Sequence, residues 1–292
     1  MDATVSVRHV PVLPREVLHG LNPLPGQVLV DCTTGVGGHT RLLAERVAPT
    51  GQILALDQDA TMLEQARTRL QGLPVRFIHA SFDALPDVLE SLGLACVDGI
   101  LADLGICSDQ LDAADRGFSF SREGPLDMRM NRQETETAAE LLHRLPEPEL
   151  ADLIYRYGEE RYSRRIAKRI VEQRQKSRLT TTTQLAELVR RCVPRSGGID
   201  PATRTFQALR VAVNDELGAL ERLLAVLPRL LRTGGIAAII SFHSLEDRRV
   251  KQAIRNRDVW EELTRKPITA QPDEIAGNPR ARSAKLRLAR RK

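Results

Sequence analysis

Short apolar runs alternate with amphipathic stretches through the first hundred residues. Val28 to Val30 is apolar and stops at Asp31, a glycine-rich turn follows, and Thr40 to Val47 carries helical spacing. Ile53 to Leu56 predicts a second strand, Thr61 to Leu70 a helix, Val75 to Ile78 a third strand and Val97 to Ala102 a fourth. Each strand stops at a polar residue, on the edge where an open parallel sheet holds its ligands. This is the order of a doubly wound α/β half. After Asp103 the alternation ends. A loop rich in Gly, Asp and Ser runs to about Asn131, and helical segments follow at residues 137–144, 147–157, 160–175 and 182–192 with no strand among them. Pro201 opens a long helical pattern through about Leu231, after which Gly234 and Gly235 introduce the apolar strand Ile236 to Ser241. The pattern predicts a helical module, residues 109–213, inserted into a sheet domain built from residues 1–108 and 214–292. Pro267 to Thr269 and Lys285 to Leu288 are short candidate strands for closing the sheet edge.

Composition adds constraints rather than a new picture. With 292 residues, 42% hydrophobic and 28% charged, the chain has an ordinary globular balance and can bury a sizeable core. No apolar run reaches the length of a membrane span and the first residues lack a signal-peptide pattern, so a cytoplasmic protein with no membrane partner is expected. Cys32, Cys96, Cys107 and Cys192 form no C-x-x-C pair, and the histidines at 9, 19, 39, 79, 143 and 243 show no ligand spacing, so neither a disulfide framework nor a metal is expected.

Charge does change the picture. Residues 161–178 carry eight basic side chains and one acid, and residues 280–292 carry seven basic side chains and no acid. Together they hold +14 of a net +5, which leaves −9 on the rest. Two basic patches on an acidic body suit a polyanion, with a solvated helix face and a basic tail as the plain alternative. At helical spacing Arg161, Arg165, Lys168 and Arg169 crowd one face, with Arg164 beside them and Ile166 and Ile170 turned inward. Tyr155, Tyr157 and Tyr162 neighbour this face and are candidates for stacking or for helix packing.

The run Asp31-Cys32-Thr33-Thr34-Gly35-Val36-Gly37-Gly38-His39 follows a strand and opens a helix, where glycines admit a ligand to the backbone and helix N–H groups receive its polar end. It lacks the third glycine of the dinucleotide fingerprint, and a structural turn is the simpler reading of the run alone. Asp57 ends the next strand, about where an acid accepts hydrogen bonds from two ribose hydroxyls, while Asp59 suits the cap of the following helix. No lysine follows the glycines as a phosphate-binding loop demands, so a nucleoside ligand without a triphosphate fits best. S-adenosylmethionine has that chemistry. A nicotinamide-dependent oxidoreductase shares these features apart from the glycine, and a non-catalytic binding factor that kept the fold is a further alternative.

Taken with the rest of the chain, these residues resemble a known family, the bacterial methyltransferases acting on the N4 amine of a cytosine in 16S ribosomal RNA. The strings that carry the likeness include His9-Val10-Pro11-Val12-Leu13, the 31–39 turn, Ala102-Asp103-Leu104-Gly105, Arg116-Gly117-Phe118-Ser119-Phe120 and Gly124-Pro125-Leu126-Asp127-Met128-Arg129-Met130. Further strings are Tyr157-Gly158-Glu159-Glu160-Arg161, residues 203–210, Ser241-Phe242-His243-Ser244-Leu245-Glu246-Asp247-Arg248 and Asn278-Pro279-Arg280-Ala281-Arg282-Ser283. The resemblance implies a class I S-adenosylmethionine-dependent methyltransferase, a Rossmann-like doubly wound sheet with an inserted all-helical domain. It implies cofactor contacts from Gly37, Gly38, His39, Asp57, Phe82, Asp103 and Gln110, and a partner in the decoding region of 16S rRNA in the small ribosomal subunit. Cys32 and Cys107 depart from the family's usual small residues, and Asp109 stands where proline is usual, which frees the backbone leading to Gln110.

A cytosine amine is a poor nucleophile because its lone pair is delocalised into the ring. A carboxylate accepting one of its hydrogens localises that pair, and Asp103 is the candidate acceptor. The sequence Asp103-Leu104-Gly105-Ile106 carries no aromatic platform, so Phe118, Phe120 and Phe242 are candidates for stacking on the base. His243 is a candidate proton acceptor or a structural hydrogen-bond partner.

Overall fold

The structure, a computed structural model, describes residues 10–194 and 198–292. His9 of the first family string lies outside the described residues. The chain divides into two compact units, Met1–Gly105 with Leu217–Lys292, and Ile106–Glu216. The sequence pattern alone puts the borders of the insert at 109 and 213.

The first half of the sheet unit runs α1 (Pro14–Leu21), β1 (Val28–Asp31), α2 (Gly38–Val47), β2 (Gln52–Asp57), α3 (Ala60–Arg69), β3 (Val75–His79), α4 (Leu85–Ser91) and β4 (Val97–Asp103). All four expected strands form, each a residue or two longer than its apolar run. Two helices absent from the sequence pattern, α1 and α4, both carry proline in the first turn, where its fixed φ and missing N–H cost nothing. Their signal is turn chemistry rather than a long periodic stretch.

The second unit contains α5 (Ser108–Asp112), α6 (Ala138–Arg144), α7 (Glu147–Gly158), α8 (Ser163–Arg174), α9 (Thr182–Cys192) and α10 (Ala202–Val213). Its core is the meeting of α6 to α10, with Leu142, Ile154, Ile166, Ile170, Leu185 and Phe206 buried together. The long helix expected from Pro201 to about Leu231 is in fact two, α10 and α11 (Glu216–Leu230). Asp215 adopts a left-handed φ of 46°, and the Asn214 side chain accepts the Met130 N–H at 2.7 Å and donates to Met128 O at 2.8 Å. Those bonds compete with helix continuation, which apolar periodicity alone does not register.

The chain returns to the sheet unit at α11 and continues through β5 (Leu231–Ser241), α12 (Ser244–Ala253), β6 (Trp260–Glu262), α13 (Pro272–Gly277) and β7 (Lys285–Arg291). The strand order is β3-β2-β1-β4-β5-β7-β6. β1 pairs in parallel with β2 and β4, β2 with β3, and β4 with β5, whereas β7 lies antiparallel between β5 and β6. The candidate edge strand Lys285 to Leu288 is therefore an interior strand, the edge belongs to Trp260–Glu262, and Pro267 to Thr269 supplies only the bridge Ile268↔Leu286. β5 also starts earlier than Ile236, because a register shift opposite Val97 to Gly99 takes up its glycines.

Period-two alternation sorts the strand side chains onto two faces. Val30, Leu54, Ile100 and Ile239 face one way, onto Leu85 and Leu89 of α4, Leu220 and Leu223 of α11 and Val250 of α12. Their neighbours Leu29, Ile53, Leu101 and Ile240 face the other way, onto Val17 and Leu21 of α1 and Leu43 and Val47 of α2. Both faces being covered, the strands read as continuous apolar runs. Chain order reverses between β1 and β4, the switch point at which such sheets hold ligands.

Candidate active site

Three carboxylates close the adjacent strands β2, β1 and β4 at their C-terminal ends: Asp57, Asp31 and Asp103. Asp31 is buried, accepting the Thr33 N–H at 3.1 Å on Oδ1 and the Thr40 hydroxyl at 2.7 Å on Oδ2. It therefore ties the end of β1 to the first turn of α2. Burial pushes its carboxyl up to about 6, against the pull of both hydrogen bonds.

The glycine turn is held just as tightly. Gly35 N–H donates to Asp57 Oδ2 at 2.7 Å and Thr34 N–H donates to Leu56 O at 2.9 Å, so the turn is laced to the end of β2. Gly37 caps α2 with φ 89°, and a Cβ there would sit 2.7 Å from Leu70 Cδ1. Glycine at this position is demanded both by the left-handed backbone and by close packing of the helix start. Gly38 and His39 open α2, with its first N–H groups at the switch point.

Asp57 Oδ1 accepts the Asp59 N–H at 2.9 Å, so each of its oxygens receives one backbone bond. A carboxylate offers about four acceptor sites, which leaves capacity for two further donors. Burial raises its carboxyl to about 6, and Asp59 and Asp31 add to the rise against its two backbone bonds. Asp59 caps α3, accepting the Thr61 N–H at 3.0 Å, as the residue pattern predicts.

Asp103 is the least satisfied of the three. Its N–H donates to Thr33 Oγ1 at 2.6 Å, and its Oδ2 lies 3.8 Å from His39 Nε2. Oδ1 is shielded from solvent and has no hydrogen-bond partner among the described residues. Burial pushes this carboxyl up to about 7; Arg280 pulls it down, and Asp31 and Glu246 push it further up. A basic tail gives no sign that Arg280 belongs to this group, although the string Asn278 to Ser283 marks the position.

Phe82 follows the C-terminal end of β3 in a short 3-10 turn and packs half-buried against the core cluster that includes Leu54 and Leu56. Gln110 belongs to the second unit. There its Oε1 accepts the Cys107 N–H at 3.0 Å and closes the cap of α5, so one end of this amide is occupied within its own helix. Gly37, Gly38, His39, Asp57 and Asp103 are thus gathered at the switch point of the sheet unit, with Phe82 at the adjoining strand end.

Of the aromatic candidates, Phe118 is buried in the helical core, and Phe120 meets Phe206 edge-on with ring centroids 4.8 Å apart. The Arg116 to Phe120 string serves packing: buried Arg116 donates to Arg129 O and Met130 O, both at 2.9 Å. His243 caps α12, with Nδ1 accepting the Glu246 N–H at 3.4 Å and Nε2 lying 3.1 Å from Glu246 Oε1. The cap is the structural role of the two expected for it. No cluster of side chains suited to a metal occurs among the described residues.

The two basic segments have separate fates. Along α8 and the turn before it, Arg161, Arg164, Arg165, Lys168 and Arg169 are exposed while Ile166 and Ile170 are fully buried, the division expected from helical spacing. Tyr155 and Tyr162 are exposed beside them. The other segment is no tail, because Lys285–Arg291 is strand β7.

A family model described as the MraW methylase family matches residues 6–292. The chain is 54% identical over 288 residues to the ribosomal RNA small subunit methyltransferase H of Sorangium cellulosum, covering 97% of this chain and 91% of that one. It is 52% identical over 285 residues to the protein of the same name from Deinococcus radiodurans, covering 97% and 89%. A solved rRNA methylase from Streptococcus thermophilus superposes with a TM-score of 0.43 at 12% identity over 95% of this chain and 96% of that one, too distant a likeness to carry weight. Matched along nearly its whole length and at half identity to such relatives, the chain belongs to the MraW methylase family.

Proposed function

We propose that the protein transfers a methyl group from S-adenosylmethionine to the exocyclic N4 amine of a cytidine in the decoding region of 16S rRNA of the small ribosomal subunit. The observation that carries the reading is the Asp103 carboxyl at the switch point, its buried Oδ1 without a hydrogen-bond partner among the described residues, beside a glycine turn and an acid with acceptor capacity to spare. The relatives' names, which specify a ribosomal RNA small subunit methyltransferase, support the substrate class.

The residues present fit the cofactor. Asp57 retains lone pairs for two ribose hydroxyls, the opening of α2 at Gly37, Gly38 and His39 receives the polar end, and Phe82 borders the nucleoside. The family resemblance implies a further contact from Gln110. The cofactor supplies an electrophilic methyl on a sulfonium, so the protein's own task is to prepare the nitrogen. Asp103 Oδ1 accepts one amine hydrogen, which draws the lone pair out of the ring and holds the nitrogen in line. Thr33 holds the backbone of Asp103 through its N–H, and His39 Nε2 stands 3.8 Å from its second oxygen. Exposed cations along α8 grip the RNA backbone while the sheet unit performs the chemistry.

Incubation with methyl-labelled cofactor and either free 16S rRNA or small ribosomal subunits, followed by digestion to nucleosides and mass spectrometry, tests the reading. N4-methylated cytidine at one position is expected. Label on another atom or base, or consumption of cofactor without labelled RNA, overturns it.

A further inference from the structure

The helical unit contains a cavity of about 440 Å³ between α8 and α9 that the proposed chemistry leaves unused. Its size falls among small-ligand sites, which span roughly 300 to 1,000 Å³. The floor is apolar, formed by Leu179 and Leu188 with buried Cys192. Two amides stand on its walls. Gln173 Nε2 donates to Ser177 Oγ at 2.8 Å, which leaves its carbonyl to accept. Gln184 Oε1 accepts the N–H groups of Thr180 and Thr181 at 3.0 and 3.2 Å, which leaves its NH₂ to donate.

The rim carries four cations against two acids. Arg169 pairs with Glu172 at 2.8 Å and Arg191 lies 3.6 Å from Glu187, so the excess of two positive charges rests on exposed Lys176 and Arg178. A slot with two leucines on its floor, one amide acceptor, one amide donor and two cations at its mouth matches the parts of one nucleotide: a flat base face, a hydrogen-bonding edge and a phosphate. Arg169 belongs both to this rim and to the exposed row of α8, so a strand following the row is led to the slot.

We propose that this cleft holds one unstacked nucleotide of the RNA substrate, its base over Leu179 and Leu188 and its phosphate at Lys176 and Arg178, outside the methyl-transfer site. The inference rests on the reading of the chain as an RNA methyltransferase.

Two variants separate the cleft from a merely charged surface. Lys176→Glu with Arg178→Glu removes the cations that meet the phosphate, and Ser177→Trp fills the mouth without changing charge. Binding of a fluorescently labelled small-subunit rRNA fragment is measured by anisotropy across a salt series. The charge reversal is expected to weaken binding at least tenfold and to flatten the slope of log affinity against log salt, by roughly 0.7 to 0.9 for each phosphate left unneutralised. Ser177→Trp is expected to weaken binding severalfold with an unchanged slope. Cofactor affinity and melting temperature report folding; if Ser177→Trp does not fold, Gln173→Leu, which keeps the volume and removes the acceptor edge, replaces it. Wild-type affinity in the filled or edge-deleted variant overturns the cleft, even if the charge reversal weakens binding. Methyl transfer to RNA by the unaltered protein is scored separately, and its absence defeats the methyltransferase reading without deciding the cleft.

Discussion

At the scale of single residues, Asp103 joins the proposed chemistry to a cost in stability. Its folded carboxyl is raised from 3.8 to about 7 by burial, so between those values the folded state holds a proton that the unfolded chain has released. Folding is therefore penalised progressively as pH rises from about 4 through about 7, while the amine acceptor needs the carboxylate present only above that range. Turnover is expected to rise with pH through about 7, and Asp103→Asn to lose that limb together with roughly a hundredfold or more of the rate, with RNA affinity little changed. The same variant is expected to be the more stable protein at pH 8, by on the order of 2 to 4 kcal/mol, and to lose the advantage near pH 4. Rate profiles and thermal melts at the two pH values check both halves; wild-type turnover in the variant reduces Asp103 to a bystander. Asp57→Ala addresses the cofactor instead. Removing charge-assisted bonds to two hydroxyls is expected to weaken S-adenosylmethionine binding about tenfold to a hundredfold by calorimetry, and unchanged affinity in a folded variant displaces the ribose from this acid.

At the scale of elements, the turn between β1 and α2 is held by the protein's own backbone bonds and packing. Gly37→Ala must place a side chain at φ 89° and 2.7 Å from Leu70 Cδ1, so a loss of roughly 1 to 3 kcal/mol by urea unfolding is expected. In a Leu70→Ala background, which removes the crowding but not the dihedral, the cost of Gly37→Ala is expected to shrink without vanishing; no cost there would show that the left-handed backbone carries none. The same distinction separates what is legible in the chain from what is not. β1 to β4 are readable because strands covered on both faces are continuous apolar runs, and α8 because Ile166 and Ile170 keep helical period against a row of cations. The break at Asn214 and Asp215 is not, since it depends on bonds to Met128 and Met130, more than eighty residues away. β6 is not, being three residues long and defined by the partner it pairs with. Within the site, the strand-end acids and the glycine turn are readable from position alone. The unpartnered oxygen of Asp103 and the pull of Arg280 on it exist only once β4 and the segment before β7 are brought together.

At the scale of the whole molecule, two strongly basic segments differ in the availability of their charge. In the C-terminal segment Arg287 is buried against Asp247 at 2.7 Å, Arg290 pairs with Glu261 at 2.7 Å, and Arg291 and Lys292 donate to the carbonyls of Leu231 and Arg257. That positive charge is used within the sheet unit. On α8, Arg165 and Lys168 are exposed and make no ion pair with the described residues, while Arg169 shares Glu172. Net charge alone would treat the segments alike, but a phosphate gains most from a cation that gives up no other partner. Arg165→Glu with Lys168→Glu is therefore expected to weaken binding of small-subunit rRNA and to flatten its salt slope by roughly 0.7 to 0.9 for each phosphate left unneutralised, with cofactor affinity and melting temperature unchanged. Arg287→Ala should do the reverse, leaving Asp247 only the looser pairing with Lys285 at 3.7 Å and costing on the order of 1 to 2 kcal/mol of stability while leaving the salt slope alone. Salt titrations of RNA binding beside denaturant melts of both variants check the contrast. An unchanged slope in the α8 variant, with a flattened one in Arg287→Ala, would move the RNA surface to the sheet unit.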